Sequence, residues 1–251
     1  MTAVITADQF IGRLHESQSD EELAKIQRYF KTDPGDYGEG DRFIGVRMGT
    51  VFQIAKEFID LPIDEIESLL DSDFHEARAG AMSIMDKCAR RKSTSAERRE
   101  AMFDLYLRRH DRINNWDLVD LAAIHVIGRH LVNKDRSILT DLAHSEIVWE
   151  RRTAIVATAY FIRQNQLDDT FAIAEVLIDD EHDLIHKAVG GWLREAGKRD
   201  EHRLEAFLEL HAARMPRTML RYATEKLSPD RKQYFRSLRS SHDERSGNTR
   251  L

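Results

Sequence analysis

Apolar residues recur every three or four positions along almost the whole chain, and this helical period is the feature that most constrains the fold. A β-strand would instead show polar and apolar residues alternating between turn residues, and the sequence has no sustained stretch of that kind. Only 4 prolines and 12 glycines interrupt the 251 residues, so long helices meet few breaks. The pattern predicts an all-α protein.

The helical period leaves two stretches uncovered. Residues 32–42 are rich in Pro, Gly and Asp, and we predict a loop there. Residues 240–251 are polar and lack the period, so we predict a disordered tail after a single domain that spans 1–239. The predicted helices cover residues 6–31, 47–60, 62–71, 74–90, 95–110, 116–132, 135–143, 147–165, 167–179, 182–197, 200–212, 215–226 and 228–238.

A basic residue occupies the same place near the start of four of these helices: Arg78, Arg152, Lys187 and Arg221. The last three are 35 and 34 residues apart, and Arg78 lies two such periods before Arg152. This period is typical of solenoids, in which equivalent residues stack along one surface. The spacing predicts a solenoid of antiparallel helical pairs with a basic ladder suited to a phosphate backbone. Scattered surface arginines and lysines would explain the same matches.

Composition excludes several classes of protein. The single cysteine, Cys88, excludes a disulfide framework and a cysteine-based zinc cluster within one chain. No apolar run approaches the roughly 18 residues of a membrane helix, and residues 1–4 lack a signal-peptide pattern. We therefore expect a cytoplasmic protein with no membrane contact, and a monomer. His182 and His186 share a helix face without a third ligand, so no metal and no cofactor are expected.

The most informative stretch is residues 114–124. Asn115 or Asp117 can cap a helix start, because their side-chain oxygens accept free backbone N–H groups. Asp120 then lies one turn after Trp116, so a carboxylate and a large aromatic share one face. A carboxylate in such surroundings needs a partner or a catalytic role, and Arg152 is one possible partner. A bridge between Asp120 and Arg152 that only fixes packing would give the same pattern.

Five stretches, in order, resemble the AlkD-type DNA alkylation repair glycosylases, and together they span about residues 27–226. They are Gln-Arg-Tyr-Phe at 27–30, Phe-Ile-Gly-Val-Arg at 43–47, Trp-Asp-Leu-Val-Asp at 116–120, Trp-Glu-Arg-Arg at 149–152 and the segment at 186–198. The resemblance implies a curved stack of HEAT-like pairs that binds duplex DNA. It also implies hydrolysis of the N-glycosidic bond of N3- and N7-alkylated purines without a metal or cofactor.

The resemblance also assigns roles to individual residues. It implies that Asp120 is the catalytic carboxylate and Trp116 the neighbouring aromatic. Arg152 corresponds to an arginine that contacts the DNA backbone, and Tyr29 to an aromatic at the DNA surface. In the segment at 186–198 the family commonly has Trp where this chain has Gly191, and Trp192 follows instead. One residue turns a helical side chain by about 100°, which puts the contact between Trp192 and DNA in doubt.

A binding protein without chemistry is the alternative to a glycosylase. The formal net charge of −6 and the shifted tryptophan favour a HEAT-like module that holds DNA or a protein partner. Both hypotheses predict salt-sensitive DNA binding by the basic residues and Trp192, and only the enzyme releases a base.

Overall fold

The computed structural model describes residues 5–30 and 38–247, without the side chains of 240–247. Within those ranges the chain is helical apart from short connections, and its only β-type pairing is one bridge between Arg42 and Phe74. This confirms the prediction of an all-α protein. The chain divides into two compact units, Met1–His130 and Leu131–Leu251. No helix in the described ranges combines the length and apolar character that crossing a membrane requires.

The first unit is built around one nearly buried helix, α5, against which its neighbours pack. The helices are α1 (Ala7–Glu16), α2 (Asp20–Phe30), α3 (Met48–Glu57), α4 (Ile63–Leu70), α5 (His75–Arg90), α6 (Ala96–Arg108) and α7 (Trp116–Ala122). Helices α3, α4, α6 and α7 all contact α5. Close packing needs Gly80, because a Cβ there would lie 2.3 Å from the ring of Phe10.

The single helix predicted at 6–31 is wrong, because the chain breaks between α1 and α2. The backbone N–H of Ser19 donates to the carbonyl of Gly45 at 3.0 Å. Gly45 has a φ of +95°, and a Cβ at that position would lie 2.7 Å from the Ser19 carbonyl oxygen. The break is therefore set by a contact with a distant glycine, which helical periodicity does not reveal.

A buried carboxylate holds the segment before α3 in place. Glu76 on α5 is fully buried and accepts the backbone N–H groups of Ile44 at 3.0 Å, Gly45 at 2.9 Å and Val46 at 3.2 Å. Three backbone donors satisfy this carboxylate, and no basic side chain in the described part of the chain pairs with it, as when successive backbone amides bind an anion. The contact explains why the stretch at 43–47 folds as a fixed loop against α5.

The second unit consists of consecutive helical pairs in two layers. Its helices are α9 (Ser137–Ala143), α10 (Val148–Arg163), α11 (Asp168–Val176), α12 (Asp183–Gly197), α13 (Glu201–His211), α14 (Arg217–Ala223) and α15 (Pro229–Gly247); α8 (Arg129–Leu131) precedes them. Helices α10, α12 and α14 pack in sequence, with α9, α11 and α13 behind them. Gly190 permits the close approach of α12 to α14, since a Cβ there would lie 2.4 Å from the Met219 carbonyl oxygen.

The predicted helix ends differ most from those in the structure at the C-terminal end of the chain. Helix α15 extends to Gly247, so residues 240–247, which the sequence assigned to a tail, continue the helix backbone. Residues 248–251 lie outside the described residues, as do residues 31–37, which form most of the predicted loop at 32–42. The single domain over 1–239 and its HEAT-like repeats stay predictions.

Candidate active site and basic surface

The start of α7 is fixed by a buried cap. Asn115 is fully buried, and its side-chain oxygen accepts the backbone N–H of Trp116 at 2.8 Å. Of the two predicted caps, Asn115 therefore caps the helix, and the side chain of Asp117 makes a different contact. The cap sets the helical phase of the residues that follow, so Trp116 and Asp120 lie one turn apart on one side of α7.

A cavity of about 290 Å³ lies against this side of α7 in the first unit. Trp116 and Asp120 both line it, and the exposed Tyr29 of α2 lies at its edge with 64% of its surface accessible. The structure thus brings together three of the residues predicted for the site. The full lining is Tyr29, Phe30, Met48, Phe52, Trp116, Asp117, Asp120 and Leu121.

Aromatic rings make up much of the cavity wall. The ring of Trp116 lies 6.1 Å from that of Tyr29 and 6.0 Å from that of Phe30. An aromatic face attracts a cation through its quadrupole, and a nearby carboxylate adds direct charge stabilisation. Two carboxylates, Asp117 and Asp120, line this otherwise mostly apolar cavity. The arrangement suits a cationic group or developing positive charge.

The second carboxylate, Asp117, is a site residue that sequence reasoning missed. Asp120 is exposed, whereas Asp117 is half-buried and its Oδ2 atom lies 2.8 Å from Nε2 of His75 on α5. His75 is 42 residues away in sequence, and nothing in the spacing indicates the pair. The available signal was only that two candidate caps, Asn115 and Asp117, lie at one helix start, where one of them is sufficient.

His75 is a buried histidine that lies between two carboxylates. Its side chain is fully buried, with Nε2 facing Asp117 and Nδ1 lying 3.4 Å from Oδ2 of Asp41. Burial alone would lower the pKa of His75, but the charge and hydrogen bond of Asp117 and the charge of Asp41 outweigh it and raise that pKa to about 9. The rings of Phe30 and Phe43 cover the imidazole at centroid distances of 4.7 and 5.2 Å.

Arg78 belongs to the same buried network, and its predicted role in DNA binding stays a prediction. Its side chain is 4% exposed, and its guanidinium donates to Oδ1 of Asp41 at 2.6 Å and to the Ser72 carbonyl at 2.7 Å. Burial would raise the pKa of Asp41, but the hydrogen bond from Asn114 and the charges of His75 and Arg78 hold that pKa below its ordinary value.

The raised pKa of His75 predicts a pH-dependent stability. The imidazolium is favoured in the folded state, so its contribution is complete below the unfolded pKa near 6.5 and is lost as pH rises through about 9. At 1.36 kcal/mol per pKa unit, the loss is about 3 kcal/mol. Urea unfolding of the wild type and His75→Gln between pH 6 and 10 measures it as the difference between the two curves. Parallel curves would contradict a charged His75.

Beyond Ala122 the helix of α7 continues as a wider, π-helical turn over Ala123–Gly128, where the sequence predicted a regular helix at 116–132. Within this turn, Nδ1 of His125 lies 2.7 Å from Oδ1 of Asp86 on α5. Such turns are often found beside functional sites. Here the turn lies directly after the segment that carries Asp120.

The second unit has a separate basic cavity of about 220 Å³. Three predicted DNA-binding residues line it: Arg152 of α10, and Lys187 and Trp192 of α12. Arg152 is 8% exposed and donates to the Leu184 carbonyl at 2.8 Å, and Lys187 pairs with Asp183 at 2.6 Å. The contact between Arg152 and Asp120 stays a prediction.

The fourth predicted position in this unit, Arg221, lies beside the same cavity. Its guanidinium lies 4.6 Å from the ring centroid of Tyr222, which is a lining residue. Gly191 and Trp192 line the cavity side by side, and a Cβ at Gly191 would meet open space. The shift of the tryptophan by one residue therefore leaves it half-buried on the wall of the basic cavity, with an open position at Gly191.

A larger cavity of about 560 Å³ in the second unit shares Trp192 with the basic cavity of about 220 Å³. This larger cavity was not predicted from the sequence. Four basic residues line it, Arg163, Arg194, Lys198 and Arg199, against the single carboxylate of Glu195. Glu195 pairs with Arg194 at 3.0 Å and Lys198 at 2.7 Å, while Arg163 and Arg199 are exposed. The excess positive charge on this face contrasts with the negative net charge of the chain.

The described part of the chain contains no group of three or more His, Cys, Asp or Glu side chains placed to hold a metal ion.

Comparison with known proteins finds a matching family and a similar solved structure. The model of the DNA alkylation repair enzyme family matches residues 11–227. Among solved structures, the chain is similar to a predicted DNA alkylation repair enzyme from Enterococcus faecalis, with a TM-score of 0.65 and 19% identity, covering 85% of this chain and 98% of that chain. At this identity the structural similarity shows the fold alone. No curated protein matches the sequence.

Proposed function

Because this chain belongs to the DNA alkylation repair enzyme family, we propose that it is a DNA glycosylase that removes N3- and N7-alkylated purines from duplex DNA. The observation that carries the proposal is the shared cavity of Asp120, Trp116 and Tyr29. A carboxylate beside an aromatic wall is suited to stabilising positive charge on a sugar, which is what glycosidic bond cleavage develops.

The reaction that we propose is hydrolysis at C1′ of the damaged nucleotide. An alkylated purine carries positive charge, so its C1′–N bond breaks with the electron pair leaving on the base, which departs neutral. Positive charge then develops on the deoxyribose, and the carboxylate of Asp120 stabilises it. Water adds to C1′ and loses a proton to solvent, giving an abasic site and a free base.

Two side chains assist this step without proton transfer. The face of Trp116 adds cation–π stabilisation to the sugar and excludes bulk water from one side. We propose that Tyr29, which is exposed beside Trp116, contacts the DNA backbone or sugar. Because the leaving base is activated by its own charge, the proposal requires no general acid, metal or cofactor.

The basic cavities of the second unit are proposed to bind phosphates. Arg152, Lys187 and Arg221 were assigned to this role from the sequence, and Trp192 is retained because it lines both cavities. To these we add Arg163 and Arg199, which are exposed on the larger cavity. The affinity that phosphate contacts provide falls as the salt concentration rises, because the release of counterions from DNA is less favourable in concentrated salt.

The double variant Arg163→Gln, Arg199→Gln is expected to bind duplex DNA about tenfold more weakly or worse, because two phosphate contacts are lost. Each contact contributes about 0.9 to the slope of log K against log salt, so the slope should fall by about 2. Fluorescence anisotropy between 50 and 300 mM salt measures both. The matched control is Arg203→Gln, Arg214→Gln, which removes equal charge from arginines paired with Asp168 and Asp179. Equal slopes in both double variants would contradict the assignment.

Release of free base from a duplex that carries N7-methylguanine tests the proposed function. The wild type is expected to release it well above the spontaneous rate, as chromatography of the freed base would detect. Binding without release would leave a DNA-binding protein without chemistry.

A further inference from the structure

We propose that His75 and Asp117 form a buried ion pair that positions Trp116 and Asp120 in the cavity, so that His75 controls the rate of base release without touching DNA. The inference rests on the proposed function. It gives a positioning role to two residues of the first unit that take no part in the reaction steps above. One of them, Asp117, lines the cavity itself.

The first step of the argument is where the pair is attached. Asp117 directly follows Trp116 in the first turn of α7, and its Oδ2 atom is held 2.8 Å from Nε2 of His75 at the start of α5. Holding one side chain of that turn fixes the rotation of α7 about its axis. Since Trp116 and Asp120 lie one turn apart on the same helix, the same contact sets the direction of both.

The second step is that the pair is anchored on its far side as well. Nδ1 of His75 lies 3.4 Å from Asp41, and Asp41 also accepts hydrogen bonds from Asn114 at 2.8 Å and Asn115 at 3.3 Å. The two asparagines immediately precede Trp116. Both ends of the peptide around Trp116 are therefore tied to one buried charge network, which restricts the backbone more than a single cap would.

The third step is the free-energy cost of burying these charged groups. Removing an imidazolium and two carboxylates from water is expensive, and apolar packing of similar volume often stabilises a fold as well or better. The buried network therefore points to positional specificity rather than to stability. Asp117 also has a second oxygen, Oδ1, that is buried without a hydrogen-bond partner in the described residues, so stability alone does not account for this carboxylate.

The test compares His75→Gln and Asp117→Asn with the wild type. Both variants keep hydrogen-bonding atoms and remove one charge of the pair. We expect single-turnover base release at saturating protein to slow by about 10- to 100-fold, because small displacements of catalytic groups have effects of that size. The Kd for the same duplex should change less than threefold. The control is His130→Gln, which removes a histidine 3.7 Å from Glu100 and outside the cavity lining, and should retain the wild-type rate.

A second measurement reports position without activity. In a chain with Trp149→Phe and Trp192→Phe, Trp116 is the remaining tryptophan, and its quenching by iodide measures its exposure. His75→Gln should increase that quenching in protein that remains folded by circular dichroism.

Wild-type rates and unchanged quenching in both variants would overturn the inference, as would a rate loss no larger than the loss of folded protein. A wild type that releases no base would instead refute the proposed function, and the quenching result would still decide whether His75 positions Trp116.

Discussion

Asp120→Asn is expected to slow the release of N7-methylguanine by about 100- to 1000-fold, the loss typical when one group that stabilises transition-state charge is removed. Asparagine has nearly the same shape as aspartate, so the cavity beside Trp116 keeps its form while the negative charge disappears. The bond-breaking step then loses the carboxylate that offsets the positive sugar. Single-turnover kinetics with protein in excess over DNA measure this step without product release.

The matched control for this prediction is Asp104→Asn, an exposed carboxylate on α6 that does not line the cavity. It changes the net charge of the chain by the same amount and should retain the wild-type rate. A similar rate in Asp120→Asn and the wild type would remove Asp120 from the mechanism. A similar loss in both variants would indicate an effect of overall charge on DNA binding.

Glu76→Ala is expected to lower the free energy of unfolding by about 3 to 5 kcal/mol. The substitution removes the acceptor of three backbone N–H groups, those of Ile44, Gly45 and Val46, and leaves them buried without partners. Each buried donor that loses its acceptor costs about 1–3 kcal/mol, and relaxation of the loop recovers part of the sum. Urea denaturation at neutral pH measures the change.

A surface carboxylate serves as the comparison for Glu76. Glu57 pairs with Arg13 at 2.8 Å with 54% of its side chain exposed, and exposed pairs contribute about 1 kcal/mol or less. Glu57→Ala should therefore change the unfolding free energy by no more than that amount. If Glu76→Ala is as mild, the loop at 43–47 does not depend on this carboxylate.

Much of the fold follows from local sequence signals. The helical period predicted α5 at 74–90 and α12 at 182–197, where the structure has His75–Arg90 and Asp183–Gly197. These helices are long and bounded by turn residues, so their pattern is strong over several turns. The spacing of Trp116 and Asp120 likewise predicted a shared face, and both residues line one cavity.

The features that the sequence did not reveal depend on contacts between distant residues. The sequence pattern assigned equivalent positions to Arg78 and Lys187, yet Arg78 is buried against Asp41 whereas Lys187 is half-exposed on a cavity wall. The helical period reports which face of a helix is apolar, and it does not report whether a loop supplies a carboxylate to that face. For the same reason, the pair of His75 and Asp117 could not be predicted from the sequence.

The central claim, that the cavity beside Trp116 supports chemistry on DNA, is tested most directly by the time course of free base released from a duplex with one N7-methylguanine. A first-order release by the wild type, far above the rate in buffer and lost in Asp120→Asn, is the predicted result. Tight binding of the duplex with release at the buffer rate would contradict the claim.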